Sequence, residues 1–260
     1  MSSSTDIHPS AVVEDGAQLG EGVKIGPFCH VGSEVTVGDR CVLQSYVSLV
    51  GKTVVGSGNE FYPHAAVGGR SQDLKYTAEP TGLRIGDHNV FREFVTVNRA
   101  TDPGNETVIG SHGNFLAYVH VAHDCVVGDH VIFSNNGTLA GHIHVEDYVI
   151  LGGLTAVHQF CRLGAHCITG GCSKIVQDVV PYTIADGNPA EARGINRVGM
   201  ERRDFSPEAV RAVHDAFKML FREGLNTKQA LEKLAGPAAS QPAVARMLEF
   251  VASSERGVVK

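Results

Sequence analysis

An apolar residue recurs at every sixth position along most of this chain, and few folds accept that period. From Ile7 the series runs Val13, Leu19, Ile25, Val31, Val37, Leu43, Leu49, Val55, Phe61 and Val67 without a polar member. It resumes in the same phase at Ile85, Phe91 and Val97. From Ile109 it continues to Ile175, and only Thr169 departs from a large apolar side chain. A step of six matches neither a helix nor an alternating strand. It matches a solenoid in which a short strand and a turn repeat, each coil stacking on the one before.

The position after the apolar residue is often glycine (Gly20, Gly26, Gly32, Gly38, Gly56 among them), which reads as the demand of a turn. Four residues after it the side chain is small: Ala11, Ala17, Val23, Cys29, Val35, Cys41, Val47. Cys125, Cys161 and Cys167 occupy that same position, so five of the six cysteines read as small buried side chains, with Cys172 the exception. With no C-x-x-C pair, they fit the reduced thiols of a cytosolic protein rather than a disulfide framework.

Thirty glycines and no tryptophan in 260 residues also suit thin layers and tight turns. A net charge of −6 argues against nucleic acid as a partner. No apolar run approaches the roughly 18 residues of a membrane span. The opening "MSSSTDIHPS" has neither the basic nor the apolar region of a signal peptide. A cytoplasmic location is the expectation.

Two polar stretches break the repeat, at 68–84 ("GGRSQDLKYTAEPTGLR") and at 100–108 ("ATDPGNETV"). Both rejoin the original phase, so they read as loops projecting from an intact stack, where function often resides. After "YTIADGNPAEARG" the pattern becomes helical. Ser206 is the expected N-cap, Pro207 the first helical residue and Gly224 the stop. Val210, Val213, Phe217, Leu220 and Phe221 form one apolar stripe, and further helices are expected in 226–235 and 240–254. The division is therefore 1–190 for the solenoid and 191–260 for a small helical domain. Between Glu191 and Arg222 seven Lys/Arg oppose five Asp/Glu, a local excess of +2.

The segment "VHVAHDCVVGDH" (119–130) holds the densest histidines. His64, His88, His112, His130, His142 and His166 all lie three residues after an apolar position, at exposed turns. His123 and His142 are nineteen residues apart, one coil plus one residue, so they adjoin. Asp124 follows His123 and can fix its tautomer or steady its cation. His158 follows His142 by sixteen residues, suggesting a third rung on the same edge. Three imidazoles with an open position suit Zn²⁺. A neutral imidazole taking a proton from an alcohol suits acyl transfer. Plain structural use remains a third reading.

The repeat region resembles the hexapeptide-repeat proteins, in which three hexapeptides make one triangular coil. That resemblance implies a left-handed parallel β-helix, mainly β, followed here by the small C-terminal α-helical domain. About 26 repeats would give eight to nine coils, and at ~4.8 Å per layer a prism about 40 Å long. On this same fold the γ-class carbonic anhydrases hold zinc between subunits.

A closer likeness rests on "GPFCHVG", "QDLKY", "AEPT", "VHVAHDCVVG", "LAGHIHV", "GGLTAVHQFCRLGAH", "GGCS" and "QDVVPY". Together they resemble the UDP-N-acetylglucosamine 3-O-acyltransferases, which open lipid A synthesis in Gram-negative bacteria. The related N-acyltransferases carry a further domain before their repeats, whereas the repeats here begin at Ile7. The resemblance implies a (3R)-hydroxyacyl thioester on acyl carrier protein as donor, UDP-N-acetylglucosamine as acceptor, a homotrimer with sites between subunits, and no cofactor or catalytic metal. It implies His123 as general base, Asp124 as its orienter and the Gly141 N–H as oxyanion donor. Lys75 would meet the sugar nucleotide's phosphate, with Gln72 and Asp73 nearby and one prism supplying Lys75 to the next prism's His123. His120, His142, His158 and Gln159 would line the cleft. Asn196 and Arg202 would reach the nucleotide of a neighbouring subunit, although Val198 stands where the family has Glu. Gly171 matches a position that helps measure acyl length, and a glycine there leaves room for a longer chain.

Overall fold

Asp6 pairs in parallel with Lys24, and Lys24 with Val42, so the chain climbs one coil in eighteen residues. The chain is represented by a computed structural model that describes residues 5–238 and 240–260. The leader expectation at the N-terminus falls partly on residues outside that range. Short strands stack into three sheets of eleven, nine and eight strands, the faces of a triangular prism, and the fold is the expected left-handed parallel β-helix followed by helices. The first face carries Ile7, Ile25, Leu43, Phe61, Phe91, Phe115, Phe133 and Leu151; the second starts at Val13 and the third at Leu19.

The two interruptions leave this stack whole. Thr53 pairs with Leu83, thirty residues on, and Leu83 pairs with Thr107, twenty-four on. Subtracting the eighteen of a plain coil leaves insertions of twelve and six residues. Both are multiples of six, which is why the apolar phase returns unshifted. The projecting parts are narrower than expected, because Ala66–Gly69, Gly82–Ile85, Thr96–Asn98 and Glu106–Ile109 are strands. They amount to residues 70–81 and 99–105.

The six-residue series points into the prism. Phe61, Phe91 and Phe115 are fully buried, their rings stacked at 4.9 and 4.8 Å, and Phe133 closes the column edge-on at 5.2 Å. Each such side chain contributes about 1.5–3 kcal/mol through removal from water. The small-residue position is also internal: Cys29, Cys41, Cys125, Cys161 and Cys167 are buried free thiols, and Cys172 is exposed. Burial raises the Cys125 thiol to about 12, so it stays protonated and inert.

The glycines do a different job from the one expected. The left-handed corner falls two residues later, and residues with side chains adopt it: Phe28, Tyr46, His64, Phe94, Asp124 and His142 all have φ between 58° and 67°. The glycines instead mark where coils touch. A Cβ on Gly38 would stand 2.6 Å from the Gly56 carbonyl carbon, and one on Gly110 2.7 Å from that of Gly128. Side chains cannot enter there.

Beyond the last coil a hairpin, Thr183–Gly187 with Ala190–Ile195, leads into four helices: α1 (Arg197–Glu201), α2 (Pro207–Phe221), α3 (Thr227–Ala238) and α4 (Pro242–Ala252). Ser206 caps α2 as expected, accepting from the Ala209 N–H. The apolar stripe of α2 packs with Met200, Val244, Met247 and Phe250 into a second core, which Val180 and Tyr182 join from the coil side. The tail is tied back by Glu146–Arg246 at 2.9 Å and by Arg162 stacked over Phe250 at 4.1 Å. Buried Asp178 adds a third tie, accepting from the Arg162 N–H and the Ser254 hydroxyl. No helix among the described residues is long and apolar enough to cross a membrane.

Candidate active site

Both insertions leave the prism at one edge, the corner between the second and third faces, on successive coils. The next three coils bring His123–Asp124, Gly141–His142 and Gln159–Phe160 to that edge. The site is thus stacked by chain arithmetic.

His123 is 9% exposed, and its Nδ1 lies 2.9 Å from Asp124 Oδ2. Asp124 is itself fixed from three sides. Its carboxylate accepts the Thr101 N–H at 3.0 Å, and its own N–H donates to Thr107 Oγ1 at 2.8 Å. The Thr101 hydroxyl meets Ser71 Oγ at 2.7 Å in a buried contact, and Ser71 Oγ also accepts the Asp73 N–H. The second loop thus holds the Asp124 carboxylate through Thr101, and the first loop braces Thr101 through Ser71. With Nδ1 engaged by Asp124, the Nε2 of a neutral His123 carries the lone pair and faces Gly141. A Cβ at Gly141 would fall 2.6 Å from that Nε2.

His142 adjoins His123 as expected, with ring centroids 5.2 Å apart and planes crossed at 85°. The expected third rung at His158 is not there. Phe160 stacks on His142 at 4.8 Å, because a full coil from residue 142 reaches 160 and falls beyond 158. His158 is exposed beside the Gln159 carbonyl and Arg256. The trio of donors that converges is Asp73, His123 and His142, whose ligating atoms lie within 4.8 Å of one another; among the described residues this is the group of that kind. It differs from the three-histidine set raised from spacing.

His120 sits one strand below, its Nδ1 2.7 Å from Thr96 Oγ1, and burial lowers its pKa, helped by the neighbouring His123. Gln72 and Lys75 are exposed on the first loop, where the Lys75 N–H donates to Asp73 Oδ1 at 2.8 Å. Leu74 between them is fully exposed. At Gly171 a Cβ would meet only the Gly153 carbonyl oxygen, at 3.4 Å, so this position is open.

Asn196 and Arg202 lie elsewhere, on the edge between the third and first faces. They line a cavity of about 310 Å³ with His130, Tyr148, His166 and Arg203. Asn196 is buried and caps α1: its Oδ1 accepts from Gly199 and its Nδ2 donates to the His166 carbonyl. One chain does not bring this pair to His123. The turn histidines, expected to be mere surface, form a column here, with His112, His130, Tyr148 and His166 spaced 4.7–4.8 Å. Burial and two nearby arginines push His166 down to about 4.

Sequence reasoning missed Ser71, Thr101, Thr107, Phe160 and α1. The signal for Phe160 was the coil length itself.

Comparison with known proteins agrees with this architecture. A family model described as UDP N-acetylglucosamine O-acyltransferase, domain 2, matches residues 178–259, and one for bacterial transferase hexapeptide repeats matches 16–51. The solved LpxA of Acinetobacter baumannii is 41% identical with a TM-score of 0.94, over 98% of this chain and 99% of that one. LpxA of Bacteroides fragilis, described as a UDP-N-acetylglucosamine acyltransferase, is 36% identical with a TM-score of 0.95, covering 98% and 100%. The UDP-N-acetylglucosamine acyltransferase of Arabidopsis is 35% identical with a TM-score of 0.87, again covering 98% and 100%. With that identity spread over nearly the full length of each relative, the chain belongs to the UDP-N-acetylglucosamine O-acyltransferase family.

Proposed function

We propose that this chain moves a (3R)-hydroxyacyl group from acyl carrier protein to the 3-hydroxyl of UDP-N-acetylglucosamine, the entry step of lipid A synthesis, in the cytoplasm. The observation that carries this reading is the His123–Asp124 pair, 2.9 Å apart and set beside a glycine backbone. His123 Nε2 takes the proton of the sugar hydroxyl as its oxygen attacks the thioester carbonyl carbon. Asp124 holds Nδ1–H and steadies the imidazolium that forms. The carbonyl oxygen becomes an oxyanion, met by the Gly141 N–H. As the intermediate collapses, the C–S bond breaks and His123 returns the proton to the leaving thiolate. The residues alone complete the proton cycle, so no metal or cofactor enters the scheme.

Lys75 supplies a point charge to the pyrophosphate, with Gln72 and Asp73 beside it, while His120, His142, His158 and Gln159 line the sugar and acyl groups. Asn196 and Arg202 sit on a different edge from His123, which fits a homotrimer in which a nucleotide spans two chains. Asn196, whose side-chain amide is already used within its own chain, would contribute by fixing the start of α1, at whose other end Arg202 stands. The open space at Gly171 supports acceptance of a longer acyl chain. The test is acyl transfer onto UDP-N-acetylglucosamine from carrier-protein thioesters of graded length, after dialysis against chelator. Transfer with a preference for longer chains is expected. A protein that transfers nothing, but hydrates CO₂ when zinc is restored, would replace this reading with the carbonic-anhydrase one.

A further inference from the structure

We propose that Asp73, His123 and His142 form a binding site for a borderline transition-metal cation, Zn²⁺ in the first instance, and that the bound ion blocks acyl transfer. The binding half stands on geometry alone; the blocking half rests on His123 being the base.

The three donor atoms lie within 4.8 Å of one another. Ligands held at 2.0–2.2 Å from zinc sit about 3–4 Å apart, so closure asks each side chain to move by no more than about 1 Å. Asp73 is half-buried on a projecting loop, where its Oδ1 accepts the Lys75 N–H at 2.8 Å and the second carboxylate oxygen is left to a cation. The imidazoles are already prepared. His123 gives its Nδ1 to Asp124 at 2.9 Å, the carboxylate–histidine arrangement that fixes the tautomer and raises the basicity of the other nitrogen toward a metal. His142 is held by stacking on Phe160 at 4.8 Å, and its Nε2 lies 3.9 Å from Asp124 Oδ2. Two carboxylates, one ligating and one behind a ligand, offset the dication's charge. Two imidazoles and a carboxylate with a fourth position open form a familiar zinc set. Gly141 leaves room at Nε2, where a Cβ would stand only 2.6 Å away.

The consequence follows from electron pairs. The Nε2 lone pair that would accept the hydroxyl proton is the pair a metal would take. Cation and acceptor sugar then exclude each other.

The test starts with metal-free protein titrated with ZnCl₂ alone by calorimetry, and with Co²⁺ followed by visible absorption. One ion per chain is expected. Asp73→Asn and His142→Ala should each weaken binding by about tenfold or more, with circular dichroism confirming the fold. Initial rates at rising Zn²⁺ should then show a higher apparent KM for UDP-N-acetylglucosamine at unchanged kcat, reversed by chelator. Absence of a saturable site overturns the proposal, as does affinity unchanged in both variants, which would place the ion on surface histidines such as His88 and His112. A rate that rises with zinc overturns the blocking half. Full acyl transfer without zinc binding sinks this proposal alone. Stoichiometric binding by a protein that never transfers an acyl group leaves the site standing and sinks the functional reading.

Discussion

Two kinds of edge run along this prism, and they are built from the same corner. Along the first, Phe28, Tyr46, His64, Phe94 and Tyr118 stack at 4.8–5.0 Å, and along another His88, His112, His130, Tyr148 and His166 stack at 4.7–5.3 Å. Their planes differ by 19° or less. At the edge carrying the insertions His142 still stacks on Phe160, at 14°, but the ring of His123, one residue before the corner, crosses that of His142 at 85°. In the plain columns each ring's faces are covered by the next ring, so the stack ties successive coils together and presents only ring edges to the surface. At the interrupted edge one imidazole is turned so that an edge nitrogen meets a carboxylate rather than a ring face. Among the described residues, the buried polar side-chain atoms without a hydrogen-bond partner, Thr81 Oγ1, Asn98 Oδ1 and Arg99 Nε, cluster at the roots of the same two loops. Native structures rarely leave such atoms unpaired. Chemistry is concentrated where the regular repeat is broken.

The sharpest way to break this contrast is His123→Ala. Removing the base should lower kcat by about 10²–10⁴-fold while fold and melting temperature stay near normal. Near-normal turnover from a folded variant would show that the interrupted edge is no more catalytic than the stacked ones.

A smaller effect separates positioning from plain packing. Thr53 and Thr107 are both fully buried, on strands that flank Leu83 in one sheet. Thr53 Oγ1 bonds its own turn, at the Val50 carbonyl, whereas Thr107 Oγ1 accepts the Asp124 N–H. Either Thr→Val change strands one polar backbone group and should cost about 1–3 kcal/mol of stability. Only Thr107→Val should also lower kcat, by up to about tenfold, with KM for the sugar nucleotide little changed. Equal kcat in both variants would reduce Thr107 to a structural residue.

Much of this was legible before any coordinates. The six-residue phase read out the core from Ile25 to Ile175, the cysteine positions and the harmless insertions, while Ile7 at the open end of the prism is exposed and Val13 and Leu19 are only half-buried. Proximity of His123 to His142 followed from nineteen being eighteen plus one. The rest was hidden for physical reasons. Thr107 and Thr101 look like ordinary loop-root polar residues, and only the 24-residue coil they belong to brings them beneath Asp124. Ser71, from a coil of thirty, meets the hydroxyl of Thr101, whose N–H holds the Asp124 carboxylate. His158 was a tempting third rung because residue type outweighed coil length, and the structure puts Phe160 there instead. The turn histidines read as surface one at a time, since stacking appears only when residues eighteen or twenty-four apart are viewed as a column.

That column allows the smallest and cleanest test. His166, between Tyr148 and Tyr182, is held down to about 4 by burial, whereas an unfolded chain would titrate it near 6.5. Below 6.5 the unfolded chain gains a proton that the folded chain refuses, so stability falls with decreasing pH until about 4, where both forms are protonated and the loss levels off. The 2.5-unit gap sets a ceiling of about 3 kcal/mol, and partial exposure brings the expected loss to about 1–2 kcal/mol. Phenylalanine already serves at this corner at positions 28, 94 and 160, so His166→Phe keeps the stack and removes the titration. Urea midpoints measured from pH 7.5 to 4 should fall less steeply for His166→Phe than for the parent. Parallel slopes for parent and variant would mean that burial does not keep the proton off His166, and that the two plain edges differ in nothing but sequence.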